Sequence, residues 1–231
     1  MPASASPSPQ PAGHGILPQS QLSDAIAKGY ISATPPIDAQ QMQPASIDLR
    51  LGRRCWRIQA SFLPGHGQTV QDKIDAFAMY EMDLSDGAVL ETGSVYVVEL
   101  CESLDLPEDI SALANPKSST GRLDVFTRLI SDGCAEFESV AAGYSGPLYA
   151  EISPRTFAVK LRTGSRLSQL RLRRGTAQLD DMALEALQQQ KQLVRYDNPA
   201  VYSIRDGISL SVNLVPDPKT GLVGWRAREH A

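Results

Sequence analysis

Ser46-Ile47-Asp48-Leu49-Arg50-Leu51-Gly52 decides how the chain is read, because Ile47, Leu49 and Leu51 alternate with Asp48, Arg50 and Gly52. Apolar residues at a period of two line one face of a strand, so this stretch predicts a half-buried β-strand. The signal recurs downstream. Val89-Leu90 and Val95-Tyr96-Val97-Val98-Glu99-Leu100 predict strands separated by the Glu91-Thr92-Gly93-Ser94 turn. Further strands are expected from residues 125 to 130, 148 to 152, 157 to 161 and 166 to 172. Many short strands punctuated by Gly and Pro make the chain mainly β, as a barrel or a sandwich.

A few short helices complete the pattern. Residues 20 to 29 predict one, with Ser20 as its cap, Leu22, Ala25 and Ile26 on one face and Gly29 at the stop. Residues 69 to 80 read as an insertion carrying a short helix, and residues 180 to 192 as a helix that bridges two halves. After Asn198-Pro199, Ile208, Leu210, Val212 and Leu214 alternate with Ser209, Ser211 and Asn213, echoing residues 47 to 51. The expected organisation is a disordered tail at 1–14, a β domain at 15–176, a linker helix at 177–199 and, at 200–231, the truncated beginning of a second, incomplete repeat.

The chain carries 22 basic and 26 acidic residues, a net charge of −4, so no broad footprint for a nucleic-acid polymer is expected. A free nucleotide needs only a local cluster of cations. No run of about 18 apolar residues is present, which excludes a transmembrane helix. Residues 1 to 13 are rich in Pro, Ser, Ala and Gln and lack the basic start and apolar core of a signal peptide. Cys55, Cys101 and Cys134 are far apart with no C-x-x-C pair, the pattern of reduced thiols in a cytoplasmic protein.

Chemistry concentrates in Asn115-Pro116-Lys117-Ser118-Ser119-Thr120-Gly121-Arg122-Leu123. A proline-opened turn there gathers an amine, two hydroxyls, a small-residue bend and a guanidinium. Such donors suit a polyphosphate, although a hydrophilic surface loop accounts as well for a Lys117-Ser118-Ser119 tripeptide. Three further segments carry more weight: Gln43-Pro44-Ala45-Ser46-Ile47-Asp48-Leu49-Arg50-Leu51-Gly52, Gly143-Tyr144-Ser145-Gly146-Pro147-Leu148-Tyr149-Ala150-Glu151-Ile152 and Arg166-Leu167-Ser168-Gln169-Leu170. In this order, around the loop, they resemble the dCTP deaminase branch of the dUTPase-like nucleotide enzymes, in particular its longer bacterial forms. The resemblance covers roughly residues 15 to 174.

That resemblance implies a distorted dUTPase-like β-barrel in a trimer-like homo-oligomer. It implies dCTP as substrate, Mg2+ accompanying the triphosphate, and dTTP as an inhibitor among relatives. Glu151 matches the catalytic glutamate, the proton shuttle between water, N3 and the leaving amine. Its sequence neighbours Pro147, Leu148, Tyr149, Ala150 and Ile152 suggest an apolar pocket that would raise its pKa. An isolated strand Glu otherwise reads as solvent-facing. Ser118 would hold the attacking water or the base edge, and Arg122 would orient the nucleotide. Lys117, Ser119, Thr120 and Gly121 would receive the phosphates, with Thr120 and Gly121 equally readable as turn formers. Tyr149 and Ala150 would read the pyrimidine through their main chain. Arg166 and Gln169 fit ordinary strand-surface residues as well as substrate contacts, and Asp48 fits a structural hydrogen-bonding role better than a metal ligand.

No metal site is expected on the protein, since the H-x-E and C-x-x-C signature of zinc deaminases is absent and His14, His66 and His230 lack ligand spacing. The sugar-binding H-x-I-D-P-G-W segment of short relatives is replaced by Phe137-Glu138-Ser139-Val140-Ala141-Ala142-Gly143-Tyr144, where Glu138 is the available substitute. Two rival readings remain open at this point. A dUTPase-like pyrophosphatase, alone or combined with deamination, would want an Asp in the 141–146 hairpin, which has none. A catalytically idle nucleotide-binding module is the other.

Overall fold

The computed structural model describes residues 13–176, 178–195 and 203–226. The chain divides into two compact units, one built on residues 16–175 and the other holding residues 176–226. In chain order the elements begin with β1 (Gly15–Ile16), α1 (Gln19–Ala27), β2 (Ile31–Ala33), β3 (Met42–Gln43), β4 (Ser46–Leu49) and β5 (Leu51–Ile58). Next come α2 (Val70–Phe77), β6 (Ala78–Asp83), β7 (Ala88–Leu90), β8 (Val95–Asp105), β9 (Ile110–Pro116) and α3 (Ser118–Arg122). The unit closes with β10 (Val125–Ser131), β11 (Ser139–Val140), β12 (Ser145–Pro154), β13 (Val159–Leu161) and β14 (Ser168–Arg174).

The expected mainly β architecture is what forms. Two antiparallel sheets carry it, with strand orders β11-β9-β14-β4-β3 and β10-β12-β8-β5-β6. Alternation along the strands distributes side chains between the layers. Ile47, Leu49, Ala112, Ala114, Leu129, Leu170 and Leu172 share a core with Leu22 and Ala25 of α1. Val98, Ala150 and Ile152 join a second cluster with Leu51, Cys55 and Tyr96. Their strand neighbours Val97 and Tyr149 point the other way, into a third cluster with Trp56, Ile130, Phe62, Val70 and Ile74. The second sheet is therefore covered on both faces, and the insertion supplies the outer cover.

The opening stretch differs from the half-buried strand that its pattern predicts. Asp48 is 1 % and Arg50 6 % exposed, so both faces are buried and the polar residues need partners. Arg50 Nε donates to Glu102 Oε1 at 2.8 Å, and its backbone N–H donates to Glu102 Oε2 at 2.8 Å. Gln41 Nε2 also donates to Glu102 Oε1, at 2.8 Å, while the guanidinium reaches the carbonyls of Pro35 and Pro36. Asp48 pairs with the Lys117 ammonium. A Cβ on Gly52 would meet Glu99 Cγ at 2.7 Å and its carbonyl oxygen at 3.0 Å, so only glycine lets β5 pass β8 this closely.

Other expectations shift locally. Helix α1 is preceded by Pro18 with no side-chain cap, because Ser20 already lies inside the helix; Gly29, at φ +79°, follows its end. The insertion does carry a helix, α2, capped by Thr69 and Asp72 in a reciprocal pair. Strand β9 was not predicted, and the loop after it winds into the one-turn helix α3 rather than an open bend.

The second unit contains α4 (Asp181–Lys191), capped by the Asp180 carboxylate, and a hairpin of β15 (Ser203–Ile204) with β16 (Ile208–Ser209). The Asp181 carboxylate accepts the N–H groups of Asp206 and Gly207 in the hairpin turn. The alternation expected to run from 208 to 214 stops at Ser209, and Leu210, Val212 and Leu214 are exposed. The tail through residue 12 and Asn198-Pro199 lie outside the described residues.

Candidate active site

The sequence-predicted residues fall into two groups. The first surrounds α3. Lys117 sits at its N-terminal end, where its N–H donates to the Leu167 carbonyl at 2.8 Å. Thr120 is buried and its hydroxyl donates to the same carbonyl at 2.9 Å, a contact that suits a turn former. The Lys117 ammonium is paired with Asp48. Asp48 keeps one buried oxygen, Oδ1, without a partner.

Antiparallel register brings Gln169 opposite both Asp48 and Asn115, beside the base of α3. Gln169 accepts from Ser46 Oγ at 3.1 Å, and Arg166 pairs with Asp38 at 3.1 Å. Ser118, Ser119 and Arg122 are exposed, and among the described residues their side chains make no hydrogen bond or ion pair. Gly121 has ordinary helical backbone, and a Cβ there would meet nothing within 4 Å. Nothing inside this chain demands glycine at that point. A cavity of about 380 Å³ opens beside the helix, with Ser119, Leu123, Lys160 and Arg166 in its wall.

The second group centres on Glu151 of β12. Its side chain projects from the sheet face that carries Val97 and Tyr149, and it is only 2 % exposed. The apolar residues adjacent in sequence do not define its surroundings, because alternate residues of a strand face opposite ways. Across the ladder Glu151 is paired with Arg128 of β10. Arg128 donates from Nε at 3.1 Å and from Nη2 at 2.5 Å, both to Oε1. Glu151 Oε2 is buried and has no partner. Leaving a buried acceptor unmatched costs about 1–3 kcal/mol, so such an oxygen calls for an explanation.

Arg128 is itself clamped. Its guanidinium carbon lies 3.6 Å from the Phe137 ring centroid and 4.9 Å from that of Phe126, and Nη2 donates to Ser61 Oγ at 2.9 Å. The sequence reading overlooked Arg128, Phe126 and Phe137. Alternation does place Phe126 and Arg128 on one face, but pairing with Glu151 depends on register, which the sequence does not reveal.

Glu138, the suggested stand-in for a sugar-binding Asp, adjoins this group. It adopts a left-handed backbone at φ +67°, accepts the Leu129 N–H at 3.3 Å through Oε1 and buries an unpartnered Oε2. Desolvation pushes its carboxyl up to about 7, against smaller opposing effects from the Leu129 N–H and Arg128. A carboxyl whose pKa is higher folded than unfolded stabilises the fold least above its folded pKa. Its penalty grows as pH rises from about 4.5 to about 7. Glu138→Gln should therefore raise the melting temperature more at pH 8 than at pH 5. Equal shifts at both pH values in a thermal scan would refute this assignment.

Tyr149 and Ala150 lie inside the sheet, just past a register irregularity between Pro147 and Tyr149 in the ladder with β8. β12 has strands on both sides, with Tyr149 opposite Ile130 and Glu99, and Ala150 opposite Leu129 and Val98. The ladder competes for the backbone groups expected to read a base, and both side chains are buried. Within the chain, among the described residues, no hydrogen bond or ion pair joins Glu151 to Ser118 or Arg122. Three residues of β10, on the order of 10 Å, separate Arg128 from Val125, and α3 ends three residues before that.

Comparison with known proteins places nearly the whole chain. The family model for the 2'-deoxycytidine 5'-triphosphate deaminase N-terminal domain matches residues 13–176, and that for the C-terminal domain matches residues 180–231. A dCTP deaminase of Halorubrum lacusprofundi is 32% identical over 159 residues, 67% of this chain and 75% of the relative. A protein of Nocardioides sp. named "dCTP deaminase, dUMP-forming" is 31% identical over 138 residues, 59% of this chain and 69% of that one. The crystal structure of the Agrobacterium tumefaciens 2'-deoxycytidine 5'-triphosphate deaminase superposes with a TM-score of 0.81 at 48% identity, over 90% of this chain. The chain spans 61% of that protein's length. With the motif order, the antiparallel β architecture and the N-terminal family match over most of its length, the chain belongs to the dCTP deaminase family.

Proposed function

We propose that the protein deaminates dCTP to dUTP and ammonia, with Glu151 as the proton shuttle. The observation that carries this reading is a buried carboxylate with one oxygen held by a cation and the other unpartnered. Water adds at C4 of the cytosine as Glu151 takes one of its protons and hands it to N3. The carboxylate then takes the remaining proton from the C4 hydroxyl and passes it to the exocyclic amine, the C4–N bond breaks, and ammonia leaves as the C4 oxygen becomes a carbonyl. Every step is a proton transfer, which one carboxylate can relay in both directions.

Ser118 positions the water or the base edge, and Arg122 orients and neutralises the nucleotide. Their free side chains support this division of labour, since neither is used by the fold. Ser119 and the open space at Gly121 serve the phosphates, and the cavity beside them carries Lys160 together with Arg166, the latter shared with Asp38. Mg2+ arrives with the triphosphate as part of the substrate. Because Glu151 and the α3 residues do not meet within one chain, the reading places Ser118 and Arg122 of a neighbouring copy opposite Glu151, in a homo-oligomer.

Incubating the protein with dCTP and Mg2+, then assaying ammonia and separating the nucleotides, tests this reading. Equimolar ammonia and dUTP are expected. Ammonia with dUMP and pyrophosphate would add the second activity for which several relatives are named. Pyrophosphate release from dUTP with no ammonia from dCTP would overturn the reading.

A further inference from the structure

We infer that Arg128 is a positioning residue for the deamination centre, acting through Glu151 and not on the substrate; this rests on the reading of Glu151 as proton shuttle. An arginine that served only to neutralise a buried carboxylate would meet it fork to fork, one N–H to each oxygen. Here both donors converge on Oε1, at 3.1 and 2.5 Å, while Oε2 stays buried and unmatched. The pair therefore divides the carboxylate into an anchored oxygen and one left available for proton transfer.

The guanidinium is held independently of the glutamate. Phe137 lies against it at 3.6 Å and Phe126 at 4.9 Å, and Ser61 Oγ accepts from Nη2 at 2.9 Å. Cation–π contact and the hydroxyl fix its plane, and β10–β12 register fixes its height opposite Glu151. A clamped cation cannot follow a mobile carboxylate, so Glu151 has one preferred rotamer set by Arg128. Ser61 belongs to the segment leading into α2, and Phe137 to the turn before β11. Two segments outside the sheet thus converge on Arg128 rather than on Glu151, as a support for a reactive group requires.

The test compares wild type with Arg128→Ala, Arg128→Lys and Phe137→Leu on dCTP with Mg2+. For Arg128→Ala we expect kcat to fall roughly 10- to 100-fold, with KM and the number of nucleotides bound per chain little changed. Added guanidinium should restore several-fold of the lost kcat. Arg128→Lys, which keeps the charge but not the two convergent donors, should fall between. Phe137→Leu, which leaves the ion pair and loosens the clamp, should lower kcat several-fold. Unchanged kcat in Arg128→Lys and Phe137→Leu would overturn the inference. So would parallel loss of kcat and nucleotide stoichiometry in Arg128→Ala without rescue by guanidinium. If wild type itself releases no ammonia from dCTP, it is the reading of Glu151 that fails, a result separable from both.

Discussion

Replacing Glu151 by Gln should lower the rate of ammonia release from dCTP by about 10³-fold or more while leaving nucleotide affinity within a few-fold of wild type. The amide has the shape of the carboxyl and can still present an oxygen to Arg128, but it cannot accept and return a proton at neutral pH. Glu151 is 2 % exposed and among the described residues its one charged partner is Arg128, itself partly open to solvent, so the substitution creates no deeply buried lone charge. The expected result is a folded protein that binds dCTP and does not turn it over. Kinetics and equilibrium binding on the same preparation check this, and equal loss of both would remove Glu151 from the chemistry.

Arg122→Ala should behave differently, losing kcat/KM by roughly 10²- to 10³-fold through weaker nucleotide binding as well as slower turnover. The Arg122 guanidinium has no partner among the described residues, so its removal breaks nothing in the fold. Stability should stay within about 0.5 kcal/mol of wild type, the usual range for surface positions. A denaturant titration beside the kinetic assay separates the two effects. Normal KM in this variant would take Arg122 out of the nucleotide site.

The sequence made some elements plain and hid others, for physical reasons. Val95-Tyr96-Val97-Val98 and residues 125 to 130 announced strands because β-branched and aromatic residues fit a pleated surface, and β8 and β10 stand there. Strand β9 escaped because Ile110-Ser111-Ala112-Leu113-Ala114-Asn115-Pro116 is small, mixed and ends in proline. Alternation gave Asp48 and Arg50 a common strand face without saying that this face is buried as well. Only the pairs with Lys117 and Glu102 show how their charge is borne.

Glu151, Ser118 and Arg122 became candidates through the motifs that resemble the dCTP deaminases, since residue type alone left each of them readable as an ordinary surface residue. The candidate site was illegible where geometry assigns the role. The hydrogen bond from the Thr120 hydroxyl to the Leu167 carbonyl joins residues 47 apart in sequence, which no local pattern announces. Alternation put Arg128 on one face with Phe126 but said nothing of Glu151, which stands opposite it on the next strand. Long-range register is the piece of information that composition and periodicity cannot supply.

A crystal structure of the Glu151→Gln variant with dCTP and Mg2+ would test the central claim most directly. The account predicts the residue-151 side chain within about 3 Å of the cytosine amine, N3 or a water beside C4. It predicts Ser118 and Arg122 of an adjoining copy on the same nucleotide. A cytosine ring bound away from residue 151, with that side chain still packed only against Arg128, would contradict it.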